Sequence, residues 1–232
     1  MPLLTTKKDG KVLIVELRRA DKGNALSRQL QLELTTAWQE LEDSDDLLVG
    51  IVHGGGTMFS VGHDVEELAR GQGDASSPIP EDGMFPLNLR KPVIAAVEGP
   101  CYGLGFELAL SCDLRVAGRG AMFGFPDAHL FVPYRVASVL LPRMTFAGTS
   151  LELLLTGKVL DAEHMQRARL VNQVAPRGQA LPVALEAAKA MTRQFKSAEA
   201  FKKRKVWQFS GIPVPAAMSI AREVASSHEA NR

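Results

Sequence analysis

Residues Lys11–Leu17 (KVLIVEL) are rich in β-branched side chains, a pattern that predicts a strand. Behind Ser27, a residue suited to cap a helix, Leu30, Leu34, Ala37 and Leu41 recur at helical spacing. Leu47–Val52 is a second apolar strand, ended by Gly54, Gly55 and Gly56, and Asp64–Arg70 reads as a short helix. Residues 71–88 carry Gly, Pro, Ser and acidic residues, which predicts an exposed, mobile loop rather than a domain linker. Pro92–Val97 is another buried strand, followed by a helix over Leu104–Cys112 and short strands at Arg115–Ala117 and Ala121–Phe125. From Val136 the pattern is helical, with main segments at Leu151–Leu155, Ala162–Arg169, Val183–Phe195 and Ala198–Phe209, the second capped by Asp161. Strands alternating with helices, then helices alone, predict an α/β core with a helical C-terminal part. No internal repeat recurs at a fixed period.

The chain has 232 residues, enough for one large domain or two small ones. A formal net charge of +1 gives a nucleic-acid partner no global electrostatic support. The basic run Lys202, Lys203, Arg204 and Lys205 reads first as a solvated helix face and second as a contact to an anionic group such as phosphate. Cys101 and Cys112 sit in apolar surroundings and read as reduced, buried and structural. No leader pattern opens the sequence and no apolar run approaches the ~18 residues of a membrane span, so the expectation is a cytoplasmic protein with no membrane partner.

Four segments carry candidate chemistry. Arg19–Ser27 (RADKGNALS) on its own is a strand-to-helix turn with a Ser cap. In Phe59–Leu68 (FSVGHDVEEL), Gly62 permits an unusual turn just before a helix. That turn places the His63 N–H at or near a helix N-terminus, where unpaired donors favour negative charge; the His63 side chain reads as surface or packing. In Lys91–Asp113 (KPVIAAVEGPCYGLGFELALSCD), a strand ends at Glu98-Gly99-Pro100, and a loop with Gly103 and Gly105 leads into a helix whose free N–H groups include that of Leu104. Glu107 is placed in the first turn of that apolar helix, and a buried carboxylate needs a partner, a proton or a purpose. In Phe123–Asp127 (FGFPD), Asp127 follows Glu107 by twenty residues; alone it is an ordinary turn acid.

Taken in order, NALS, FSVGHD, KPVIAAVEG…GLGFELALSCD and FGFPD resemble the enoyl-CoA hydratase/isomerase (crotonase) superfamily, as does LLTGKVLDAEHMQRARLVNQVAP over Leu154–Pro176. The resemblance covers roughly residues 10–195, and the third segment is its most specific part. It implies a ββα spiral core over residues 1–195 and a C-terminal helical trimerisation region over 196–232. It also implies assembly as a homotrimer or a dimer of trimers. The implied substrate is an acyl-CoA thioester, with no metal and no separate cofactor. Two backbone N–H groups, those of His63 and Leu104, would form an oxyanion hole for the thioester carbonyl; most members carry glycine at the second place, where leucine keeps the donor and narrows the pocket. The hydratases' two water-activating acids match Glu107 and Asp127. CoA contacts carry over to Ala25 and Leu26, with Gly62, Asp64 and Gly103 beside them and Lys22 as a phosphate neighbour on charge alone.

Three departures from the family pattern bear on the reaction. Asp127 replaces a glutamate and shortens the reach by about 1.5 Å. After it, HLFVPYRVASVLLPRM is one residue shorter before Pro133 and lacks the family's glycines, resembling the apolar stretch of Δ3,Δ2-enoyl-CoA isomerases. Those isomerases keep the second acid and lose the first, whereas this chain keeps the first. The C-terminus closes at Ala221-Arg-Glu-Val-Ala and a polar tail, where members usually carry a further helix. The resulting expectation is water addition to a 2-enoyl-CoA; a Δ3,Δ2-isomerase and a non-catalytic acyl-CoA-binding member are the alternatives. Residues 71–88 and 128–144 are expected to shape the acyl pocket.

Overall fold

Leu4–Asp9 (β1) and Val12–Leu17 (β2) form an antiparallel hairpin, Leu4 facing Leu17 and Asp9 facing Val12. The computed structural model describes residues 2–70, 83–127, 134–195 and 216. The predicted helix over Ala198–Phe209, the basic run Lys202–Lys205, the Pro133 turn and, apart from Ala216, the C-terminal region 196–232 lie outside the described residues. So does most of the predicted loop, but its end differs from the expectation: Met84, Phe85 and Pro86 are buried, and the Trp38 indole N–H donates to the Met84 carbonyl at 2.7 Å.

After β2 the chain forms a long helix, Arg28–Asp43 (α1), then Val49–His53 (β3), a short helix Val65–Ala69 (α2) and Val93–Val97 (β4). Pro100–Tyr102 (β5) leads into Gly103–Ser111 (α3), followed by Leu114–Gly118 (β6) and Met122–Gly124 (β7). Two helices, Arg135–Met144 (α4) and Ala147–Thr156 (α5), precede Val159–Asp161 (β8), Ala162–Arg167 (α6), Gln173–Ala175 (β9) and Ala180–Gln194 (α7). The caps at Ser27 and Asp161 are as predicted: Ser27 Oγ accepts from Leu30 N–H and Asp161 from His164 N–H.

Six strands form one sheet in the order β1-β2-β3-β4-β6-β9, parallel except for the first pair. A smaller sheet, β5-β7-β8, stands beside it. Alternation along the strands divides the core. Val12 and Ile14 of β2 and Ile94 and Ala96 of β4 face α7, which meets them with Ala180, Ala184 and Ala188. These small residues recur every fourth position and let the helix lie close to the sheet. Leu13, Val15 and Leu17, with Val93, Ala95 and Val97, face the other way into the main core with α1 and α3.

Around α3 the structure corrects two expectations. The strand ends at Val97 as expected, but the segment behind it is not all loop: Pro100–Tyr102 forms the separate strand β5, paired with β7. The helix begins at Gly103, so Gly103 and Gly105 are helical and Glu107 is its fifth residue, in the second turn rather than the first. All nine residues of α3 are buried, which explains why its sequence shows little polar periodicity.

Candidate active site

Three segments from distant parts of the chain are laced together by backbone hydrogen bonds. Ser60 N–H donates to the Pro100 carbonyl at 3.0 Å and Tyr102 N–H returns to Ser60 O at 2.9 Å. On the other side, Val61 N–H donates to Gly23 O at 3.0 Å and Leu26 N–H to Gly62 O at 2.7 Å. Asn24 fixes this junction from inside. It is fully buried with φ +51°, its amide donates to Gly54 O (2.8 Å) and Phe59 O (3.1 Å), and its Oδ1 accepts from Arg19 N–H (2.9 Å). The sequence reading gave Asn24 no part; an asparagine, which tolerates the left-handed conformation, directly after Gly23 in a turn was the available signal.

Gly62 has φ +103°, and a side chain there would begin 2.9 Å from Tyr102 O and 3.3 Å from Leu104 N. Glycine is therefore required, and it brings the His63 segment directly against the start of α3. Neither the His63 nor the Leu104 N–H donates to another group among the described residues. Leu104 is the second residue of α3, where the helix leaves its donors unpaired. Its side chain packs within the main core. His63 lies one residue before the α2 cap, which is Asp64.

Asp64, which the resemblance set among the CoA contacts, is the N-cap of α2. Its Oδ1 accepts from Glu66 and Glu67 N–H at 3.0 and 3.2 Å, and its Oδ2 pairs with Arg19 at 2.6 Å. Burial pushes this carboxyl up, but Arg19 and the cap donors outweigh it and hold it below its ordinary range. With both oxygens engaged, Asp64 anchors the His63 segment to the Arg19 turn. Arg19 also donates to Ala25 O at 2.9 Å. The Ala25 and Leu26 backbone groups are engaged locally: Ala25 N–H goes to Lys22 O, Leu26 N–H to Gly62 O, and Leu26 O accepts from Gln31. Lys22 is exposed and ion-paired with Glu66.

Glu107 is buried on α3, and its Oε1 accepts from Ala137 N–H at 2.8 Å, an otherwise unpaired donor in the first turn of α4. Burial pushes its pKa up to about 7, against the opposing pull of that N–H and of His63. Asp127, in the turn after β7, is largely enclosed, with 18% of its side chain exposed. Its Oδ1 accepts from the Tyr134 hydroxyl at 2.6 Å, and its Oδ2 lies 3.7 Å from His63 Nδ1. A side chain on Gly103 (φ +49°) would begin 2.5 Å from the same Oδ2, so Asp127 rests against the first residue of α3. Burial raises this carboxyl too, but Tyr134 and His63 bring it below its usual range. Tyr134, which sequence reasoning did not single out, is itself pushed up by burial, then by Asp127 and Glu107. Its hydroxyl therefore stays protonated and feels both acids. Among the described residues, no group of three or more His, Cys, Asp or Glu is arranged to hold a metal ion, and no helix is long and apolar enough to cross a membrane.

The family model of enoyl-CoA hydratase/isomerase matches residues 7–230. The chain belongs to this family. The enoyl-CoA hydratase EchA19 of Mycobacterium tuberculosis is 33% identical over 199 residues, covering 82% of this chain and 75% of that protein. The carnitinyl-CoA dehydratase of Citrobacter koseri is 34% identical over 224 residues, covering 94% and 85%. The crystal structure of an enoyl-CoA hydratase from Mycobacterium tuberculosis superposes with a TM-score of 0.88 at 30% identity, covering 97% of this chain and 89% of that one. The chain is thus a crotonase-fold enzyme with hydratase-like function acting on CoA thioesters, as the sequence resemblance implied.

Proposed function

We propose that this enzyme adds water across the conjugated double bond of a 2-enoyl-CoA, with His63 and Leu104 N–H groups receiving the thioester oxygen. The observation that supports this reading is the close contact at Gly62, where a side chain would begin 3.3 Å from Leu104 N, so that the segment carrying the His63 N–H lies against the start of α3. Preorganised donors of this kind meet the charge that develops on an enolate oxygen and need no rearrangement during reaction. Two carboxylates in opposed environments then divide the proton work. Asp127, held ionised, takes the proton from water as its oxygen bonds to Cβ. Glu107, with a pKa of about 7, delivers a proton to Cα as the enolate collapses.

The expected isomerase alternative needs one acid and no water. The enclosed Asp127, engaged by Tyr134 rather than by a surface cation, supports the two-acid reaction. In this reading the substrate brings its own CoA and no metal or prosthetic group takes part. Gly103 and Gly62 shape the carbonyl end of the site, while Ala25, Leu26 and Lys22 lie on the side from which CoA enters. Assembly as a homotrimer or dimer of trimers and a cytoplasmic location belong to the same reading. The test is a panel of 2-enoyl-CoA thioesters in oxygen-labelled water, read by mass spectrometry. Label in the product supports hydration; double-bond migration without label would establish the isomerase instead.

A further inference from the structure

His63 has so far served through its backbone, but its ring occupies an unusual position. Nδ1 is buried and has no hydrogen-bond partner among the described residues. Buried polar atoms are nearly always bonded, because an unsatisfied one costs about 1–3 kcal/mol. The polar group facing this nitrogen is Asp127 Oδ2, at 3.7 Å, too long for a hydrogen bond. The other carboxylate oxygen is already held by Tyr134. An ionised carboxylate offers about four lone-pair sites, so one bond on each oxygen still leaves capacity for water.

We propose that, with substrate bound, the His63 ring closes on Asp127 and donates from Nδ1 to Oδ2, making His63 a positioning residue for the second acid. This rests on the hydration reading. The movement needed is about 1 Å, and hydrogen bonds of catalytic groups commonly tighten on going from the free enzyme to the complex. The ring must carry its proton on Nδ1. The consequence is a link between the two halves of the site: one residue sets the carbonyl by its N–H and the carboxylate by its ring. The link is stiff because the residues on either side are fixed, Gly62 by Leu26 and Asp64 by Arg19. Asp127 needs such help more than a glutamate would. It projects from a turn, outside any regular element, on the shorter side chain.

Two substitutions separate a donor from mere packing, and both keep the backbone N–H. The amide nitrogen of His63→Asn falls near the place of Nδ1, whereas His63→Leu fills space without donating. His63→Leu is expected to lower kcat for hydration by roughly ten- to a hundredfold, the scale of a 1 Å misplacement, with KM nearly unchanged. His63→Asn should recover most of that loss, and His63→Leu should cost little more in an Asp127→Ala background. Equal losses in the Asn and Leu variants, or a full loss in the Asp127→Ala background, would overturn the proposal while leaving hydration intact. A second measurement does not depend on turnover: nitrogen NMR of the His63 ring with butyryl-CoA bound, its resonance identified by its absence from His63→Asn. The Nδ1 signal should move when Asp127→Asn removes the charge. A signal indifferent to Asp127 overturns the contact, whatever reaction the enzyme performs.

Discussion

The Tyr134 hydroxyl donates to Asp127 Oδ1 at 2.6 Å, linking the N-cap residue of α4 to the turn after β7. A hydrogen bond to a charged group is worth about 1.5–3 kcal/mol, and here it favours the ionised acid. Tyr134→Phe removes this donor and lets Asp127 rise toward its ordinary range. The acid limb of the kcat/KM profile, where the base becomes protonated, should therefore move to higher pH. An unmoved acid limb would show that Asp127 is not the base.

Glu107→Gln keeps the shape and the bond from Ala137 N–H but removes the titrating proton. Turnover should fall by roughly 10²–10⁴ while acyl-CoA binding changes little. Stability should move the other way. Glu107 titrates near 4.5 when unfolded and about 7 when folded, so between these values the folded state holds the extra proton. Stability is therefore lost as pH rises through this window, and above pH 7 the buried charge costs about 3 kcal/mol. Chemical denaturation at pH 8 should show Glu107→Gln more stable than the native chain, with the gain vanishing toward pH 4.5. The same titration predicts that kcat/KM falls as pH rises through about 7, because the proton donor is then ionised.

At Gly103 the backbone and the carboxylate make separate demands. Its φ of +49° disfavours a side chain, and any Cβ would start 2.5 Å from Asp127 Oδ2. Gly103→Ala should cost about 1–3 kcal/mol in stability and shift both Asp127 and the adjoining Leu104 N–H. Thermal unfolding checks the first effect. For the second, kcat should drop more than the stability loss explains, measured at a temperature where the variant is fully folded.

Much of this arrangement was legible in the sequence because it depends on local pattern. Leu30, Leu34, Ala37 and Leu41 are all buried, as their spacing predicted, and Glu107 was conspicuous as a carboxylate inside an apolar helix. β1 escaped because, of LTTKKD, only Leu4 is buried, and a sheet edge leaves the other side chains in water. β5 and β8 have three residues each, too few for a period, and exist only through their pairing with β7. Tyr134 was invisible for another reason: its bond to Asp127 depends on how α4 is placed against β7. The ion pair of Asp64 with Arg19 was not legible either, because the two residues are far apart in sequence and meet only through the fold.

The last prediction concerns the acid that departs from the family pattern. Restoring the family's residue by Asp127→Glu adds about 1.5 Å of reach, and on sequence alone it should raise activity. The surroundings argue the opposite. Oδ2 already rests against Gly103, and Oδ1 is bonded to Tyr134 at 2.6 Å. A longer side chain starting from the same backbone must push into α3 or turn away from Tyr134. Either movement loses the donors that keep the acid ionised and the alignment with the His63 and Leu104 N–H groups. Asp127→Glu should thus lower kcat by roughly tenfold or more, given the steep dependence of rate on position. Combining it with Tyr134→Phe, which clears the hydroxyl from its path, should cost less than the product of the two single losses. A wild-type or faster rate in Asp127→Glu alone would mean that the Tyr134–Asp127–Gly103 contact does not set the position of the second acid.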